Sequence, residues 1–272
     1  MDRLADALRS FPDIAFAVLF GSAASGRLRD DSDIDIAVYG ASGRTLEIES
    51  DRILAEEAAI QIAAERATGR NVDLLVLNRA PATVCAAAML ANRPILIRDG
   101  ALYSRYFLAI TRLAFDFLET ERDFRAIRDR SASLSPIDRN RLERILDFVD
   151  EELQDRSTFA DVQGGEYRRD RALRRNLDRW VETLANASID IAKIILASEH
   201  RPVPQTYGRI LSDLEELPAF SRFAGRLAPL APLHTVMAHE YLDLRFTRIN
   251  DVVDTEVEVV GELATAVREW LR

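Results

Sequence analysis

Lysine is almost absent from this chain. Of its 36 basic residues only Lys193 is not an arginine, which reads as codon bias rather than as function. Cysteine is equally scarce. The single Cys85 excludes an intrachain disulfide and a cysteine-built metal site. It sits in an alanine-rich run, as a small core residue does. No segment is strongly basic. The net charge is -9, divided as -4 over residues 1–102, +1 over 103–134 and -6 over 135–272. That balance excludes a broad electrostatic grip on nucleic acid. Local clusters, such as Arg168 and Arg169 with Arg171, Arg174 and Arg175, are the exceptions. No apolar run approaches the roughly 18 to 20 residues that span a bilayer. The first apolar run is short and leads into a Gly-Ser pair, unlike a signal peptide. A cytoplasmic protein with no membrane partner is expected. Internal repeats and low-complexity stretches are absent as well.

What remains is an ordinary globular composition, 48% hydrophobic and 30% charged, in 272 residues. That length accommodates one or two domains with real cores. The chemistry concentrates in one stretch, Gly21-Ser22, ten residues, then Asp33-Ile34-Asp35. Residues 15–20 are apolar and end at a turn residue, which predicts a buried strand. Residues 33–39 alternate, so a strand there places Asp33 and Asp35 on one face and Ile34, Ile36 and Val38 on the other. Two neighbouring carboxylates on an apolar strand repel each other and lose solvation. A cation between them removes the conflict, and Mg²⁺ suits one or two carboxylates plus substrate phosphates. Gly21 allows close backbone approach to a phosphate, and the Ser22 hydroxyl can donate to it. The competing picture is a polar hairpin with both Asp residues in water.

The residues 21–27, Gly-Ser-Ala-Ala-Ser-Gly-Arg, and 32–36, Ser-Asp-Ile-Asp-Ile, resemble the minimal nucleotidyltransferases of the DNA polymerase β superfamily. The resemblance implies metal-dependent transfer of a nucleoside monophosphate from a triphosphate, with ATP and Mg²⁺ expected. It makes Asp33 and Asp35 the metal ligands and Gly21, Ser22 and Ser32 the nucleotide-binding residues. In this superfamily a third carboxylate lies on the next strand, and Asp73 matches that position as general base. The competing picture for Asp73 is an acid at a strand edge facing solvent.

Along the chain the patterns predict a helix over 4–11, a turn over 40–43, and a helix over 45–68 capped by Thr45 and closed by Gly69. They predict a strand over 71–77, a helix over 81–91, a strand over 94–97 and an amphipathic helix over 102–127. Ser131 to Pro136 breaks the pattern, with Ser135 as N-cap, Pro136 at the first helical position and Asp138 at the third. The expected domains are therefore an α/β domain over 1–130, a mixed sheet flanked by helices, and an all-α bundle over 135–272. Helices are expected there over 136–155, 167–199, 207–214, 220–227 and 252–271, with another starting at 233–238. A loop is expected around Gly164-Gly165.

The segment from Leu233 to Asp243 resembles the signature of the HEPN ribonuclease toxins, whose motif is Arg, four residues, His, one residue, Tyr. His239 and Tyr241 match its last two positions, and Asp190 matches a polar position on the preceding helix. His234 stands where the family has Arg. A guanidinium grips phosphate with two parallel bonds and is always charged, whereas imidazole makes single contacts and is only partly charged. The resemblance implies His239 as general acid or base, weak or lost RNA cleavage, and a homodimer through the helical domain. It also makes Tyr241 the acceptor of the nucleotide, so that the chain unites an antitoxin-type transferase with its toxin. RNA at this site is a minor expectation. The alternatives are an aminoglycoside-type small-molecule nucleotidyltransferase with a helical substrate domain, and a dimeric interaction module with a relict transferase.

Overall fold

The computed structural model describes residues 2–24, 26, 32–41, 46–50, 52–236 and 242–272. The chain divides into two compact units, Met1–Leu118 and Glu119–Arg272.

The first unit is built on a four-stranded mixed sheet. Helix α1 (Asp2–Arg9) buries Leu4 and Leu8 and leads into β1 (Ile14–Leu19), every residue of which is buried. A short turn of helix, α2 (Gly21–Ala24), separates β1 from β2 (Ile34–Gly40). Helix α3 (Glu57–Thr68), β3 (Val72–Val76), α4 (Ala82–Leu90) and β4 (Arg93–Ile97) follow. The order across the sheet is β3-β2-β1-β4, with β1 antiparallel to both neighbours and β2 parallel to β3. The alternation of residues 33–39 is realised. Ile34, Ile36 and Val38 join Leu4, Leu8, Ile60 and Ala64 in one core. Phe16 and Tyr39 lie on the other face and stack at 4.9 Å, and the buried Tyr106 hydroxyl donates to the Leu77 carbonyl at 2.8 Å. Tyr106 belongs to α5 (Gly100–Arg130), within which the boundary between the units falls.

The helix expected over 45–68 begins only at Glu57. Thr45, its expected cap, and Gly43 lie outside the described residues. The preceding segment is held as a loop by side chains distant in sequence. Buried Asn78 donates to the Gly40 carbonyl at 3.0 Å and to Glu47 Oε2 at 2.7 Å, and accepts from the Gly40 N–H at 2.8 Å. The Tyr39 hydroxyl accepts from the Glu47 N–H at 2.8 Å. The C-terminal end agrees with expectation: Gly69 has φ of 68° and donates its N–H to the Glu65 carbonyl, the left-handed helix stop that glycine favours.

The second unit is helical. Helix α6 (Pro136–Gln154) starts as expected, with the Ser135 hydroxyl accepting the Asp138 N–H at 3.1 Å. The buried Asp138 carboxylate accepts the Ser135 hydroxyl and pairs with Arg130. Then come α7 (Arg156–Phe159), α8 (Gly164–Arg169) and α9 (Arg171–Ser198). Gly164 and Gly165 open α8 rather than forming a loop, and the helix expected over 167–199 is two. The break is at Asp170, whose carboxylate accepts the N–H groups of Ala172 and Leu173 at 2.8 and 3.0 Å and so starts a new helix inside an unbroken apolar pattern. Leu177, Trp180, Leu184, Ile191 and Ile195 of α9 form its buried stripe. Helices α10 (Tyr207–Ser212), α11 (Ala224–Leu227), α12 (Ala231–Val236), α13 (Leu242–Asp251) and α14 (Val257–Trp270) complete the unit. A π-helical stretch over Val252–Glu256 interrupts the helix expected over 252–271. No described helix is long and apolar enough to cross a membrane.

Candidate active site

The parallel pairing of β2 with β3 sets Asp35 directly beside Asp73. Partners in register project to the same face, so the two carboxylates are neighbours. Asp33 stands one step before β2 and is exposed, as is Asp73, while Asp35 is half-buried. Burial pushes the Asp35 carboxyl above its ordinary range, and the charges of Asp73 and then Asp33 push it further. A hydrogen bond from the Ser22 backbone opposes the rise. Three acids thus meet at one end of the sheet, and among the described residues no cation is recorded against Asp35 to reconcile them. Among the described residues no group of three or more His, Cys, Asp and Glu side chains is placed so that it could by itself hold a metal ion. The donor set is hard oxygen, open to solvent, which suits Mg²⁺ completed by substrate phosphates and water.

Gly21 makes this arrangement sterically possible. It sits at φ of +64°, and a β-carbon added there would lie 2.1 Å from Asp35 Oδ2. Both the backbone conformation and the close approach of the carboxylate require glycine. The Phe20 N–H donates to the Asp35 carbonyl at 3.0 Å, tying the turn after β1 to the strand that carries the acid. The Ile34 N–H donates to the Asn71 carbonyl at 2.9 Å, and the Arg70 guanidinium reaches the Ser32 carbonyl at 3.5 Å. Arg70 thereby steadies the chain just before Asp33. No local signal marks it, since it follows the Gly69 turn and belongs to no motif. Ser25 and Arg27 of the glycine-serine stretch lie outside the described residues.

His239 and Tyr241 lie outside the described residues. His234 falls on the backbone of α12, with its side chain outside them. Asp190 lies on α9, in a charge network the sequence did not reveal. The Lys193 side chain is only 6% exposed, and its ammonium contacts Asp190 at 2.5 Å and Asp123 at 2.8 Å. Arg141 pairs with Asp123 at 2.9 Å and lies 3.8 Å from Asp190. Burial alone would lift the Asp123 carboxyl, but Lys193 and Arg141 outweigh it and hold the carboxyl below its ordinary range. The one available clue was that the only lysine of the chain stands one helical turn after Asp190.

Residues 2–101 match the family described as polymerase beta, nucleotidyltransferase, and residues 140–267 match the family described as ribonuclease HepT-like. No curated protein matches the chain significantly. Among solved structures, the chain is similar to a toxin–antitoxin crystallised with AMP-PNP, at 21% identity and a TM-score of 0.38. That match covers 45% of this chain and 91% of the other. A mutant of the toxin–antitoxin MntA–HpeT matches at 19% identity and a TM-score of 0.37, again over 45% of this chain and 91% of that one.

Proposed function

We propose a metal-dependent transfer of AMP from ATP to a tyrosine, by a chain that carries a polymerase-β-type nucleotidyltransferase domain followed by a ribonuclease HepT-like domain. The observation that carries this reading is the crowding of Asp33, Asp35 and Asp73 at the sheet end, with Gly21 fitted beneath the Asp35 carboxylate. Asp33 and Asp35 would hold Mg²⁺, which neutralises phosphate charge and orients the α-phosphorus for in-line attack. The turn at Gly21 and Ser22, with Ser32, binds the triphosphate. Asp73 takes the proton of the attacking hydroxyl. The new O–P bond forms to the α-phosphorus as the bond to the β-phosphate oxygen breaks and pyrophosphate departs.

Tyr241 is the acceptor. A phenol of pKa about 10 is a poor nucleophile at neutral pH, so a carboxylate base is of real use to it. An attached nucleotide adds negative charge and bulk two residues from His239, where RNA phosphate would otherwise sit. With His234 in place of a phosphate-gripping arginine, cleavage of RNA at this site is weak, and the site works across a homodimer of the helical domain. The setting of the reaction is the cytoplasm. Peptide mass spectrometry after incubation with Mg²⁺ and ATP tests the acceptor. Modification is expected on the peptide holding Tyr241 and is expected to vanish in Tyr241→Phe. Nucleotide on another peptide, or an unchanged yield in Tyr241→Phe, would overturn the assignment.

A further inference from the structure

The second unit is acidic as a whole, yet one corner of it is not. Residues 164–179, from α8 into the start of α9, carry six arginines against three acids. The arginines and the acids differ in what they contact. Asp178 is turned inward, accepting the Tyr167 hydroxyl at 2.6 Å and pairing with Arg245 at 3.1 Å, both side chains of that ion pair being 17% exposed. Asp170 is engaged in capping α9. Arg174 is drawn to the backbone carbonyls of Tyr167 and Arg168 at 3.2 Å. Arg169, Arg171 and Arg175 are exposed. Among the described residues Arg171 and Arg175 make no ion pair, and Arg169 donates to the Gly165 carbonyl at 3.0 Å.

Arg171 and Arg175 are one turn apart on α9, so their guanidiniums start from backbone positions about 6 Å apart along one stripe. That interval is comparable to the step between successive phosphates of an extended single strand. Arg169, at the end of α8, adds a third charge beside them. Among the described residues rings for base stacking are not on offer: Tyr167 and Trp180 are buried, and Phe246 packs against Tyr167 at 5.1 Å. The corner also lies against α13, through Phe246 on Tyr167 and Arg245 on Asp178, and α13 begins one residue after Tyr241.

We infer that Arg169, Arg171 and Arg175 form a docking surface for the phosphate backbone of a single-stranded nucleic acid. Because guanidiniums contact phosphate and no ring of the described residues is free to stack on the bases, the surface takes DNA and RNA alike, without sequence preference and with a strong dependence on salt. It binds and does not cut, and it does not depend on the transferase chemistry proposed above.

The test is fluorescence anisotropy on the full chain with labelled oligothymidylate and oligouridylate of about 20 nucleotides, between about 50 and 200 mM salt. The triple variant Arg169→Gln/Arg171→Gln/Arg175→Gln is compared with an equally charged control, Arg3→Gln/Arg112→Gln/Arg272→Gln. All six side chains are exposed, and unchanged circular dichroism melts check that the variants fold. We expect wild type and control to bind both oligomers at low salt. The triple variant should bind at least about tenfold more weakly, with the slope of log affinity against log salt reduced by about 2, as three lost phosphate contacts require. Equal weakening in the control, preference for one oligomer by more than about tenfold, or no binding by wild type at the lowest salt would overturn the inference.

Discussion

Asp35 and Asp123 are the same residue in opposite surroundings. Asp35 meets two more carboxylates, Asp73 and Asp33, and its carboxyl is pushed up. Asp123 meets Lys193 and Arg141, and its carboxyl is held down despite burial. An acid that the fold pairs with its own cations stabilises the fold. An acid that the fold crowds with other acids weakens it, unless something from outside supplies the positive charge. This contrast separates a structural charge network in the helical unit from a candidate site at the sheet end, and it does so without reference to any motif.

The contrast can be broken most sharply by removing the acids. Asp33→Ala or Asp35→Ala should lower nucleotide transfer by roughly a thousandfold or more, measured as pyrophosphate release. Asp35→Asn should do the same to activity while leaving the protein as stable as wild type or more so, because it relieves like-charge repulsion. In the helical unit the sign reverses. Lys193→Met leaves Asp123 and Asp190 with Arg141 alone and should cost about 2 kcal/mol in urea unfolding, a value discounted for the partial exposure of both acids.

Gly21→Ala tests the steric half of the site. Its β-carbon meets the Asp35 carboxylate in a left-handed backbone conformation, so transfer should fall at least about a hundredfold. Destabilisation of about 1 to 2 kcal/mol should accompany it in the same urea titrations.

A smaller effect sharpens the comparison with a third acid. Burial pushes Glu49 up to about 7, and its carboxylate accepts the Ala82 N–H at 2.8 Å. Its folded pKa lies above the unfolded value, so the protonated form is favoured in the fold. The resulting stability is complete below pH about 4.5 and is lost as pH rises through about 7. The difference in unfolding free energy between wild type and Glu49→Gln should therefore shift by about 2 kcal/mol against wild type between pH 5 and 8. A pH-independent difference would show that Glu49 ionises freely in the fold.

Much of the first unit was legible because strands have a period of two. The alternation of residues 33–39 sufficed to set Asp33 and Asp35 on one face of a strand, and Asp73 joined them only through the family resemblance. The sheet order and the parallel pairing that make them neighbours come from packing, and no local pattern encodes them. The loop before α3 reads as helix for the same reason: Asn78 holds it from a distant strand end, with Tyr39 and Arg52 adding contacts to Glu47 from beside and within it. Arg70 was invisible because its role is a contact to the Ser32 backbone. In the helical unit the apolar stripe of α9 was plain, but the break at Asp170 was not, since a capping aspartate inside a periodic run looks like any exposed residue. Lys193 carries no local signal either, because its role is contact with Asp123, which only the fold brings beside it.

On the proposed function, the acids at the sheet end hold a cation and move a nucleotide. Intact-mass measurement of the full chain after incubation with ATP and Mg²⁺ tests it directly, with the Asp33→Ala/Asp35→Ala variant and an EDTA-treated wild type alongside. Wild type should gain the mass of AMP, and neither comparison sample should. No gain in wild type, or an equal gain in the variant or in EDTA, would contradict it.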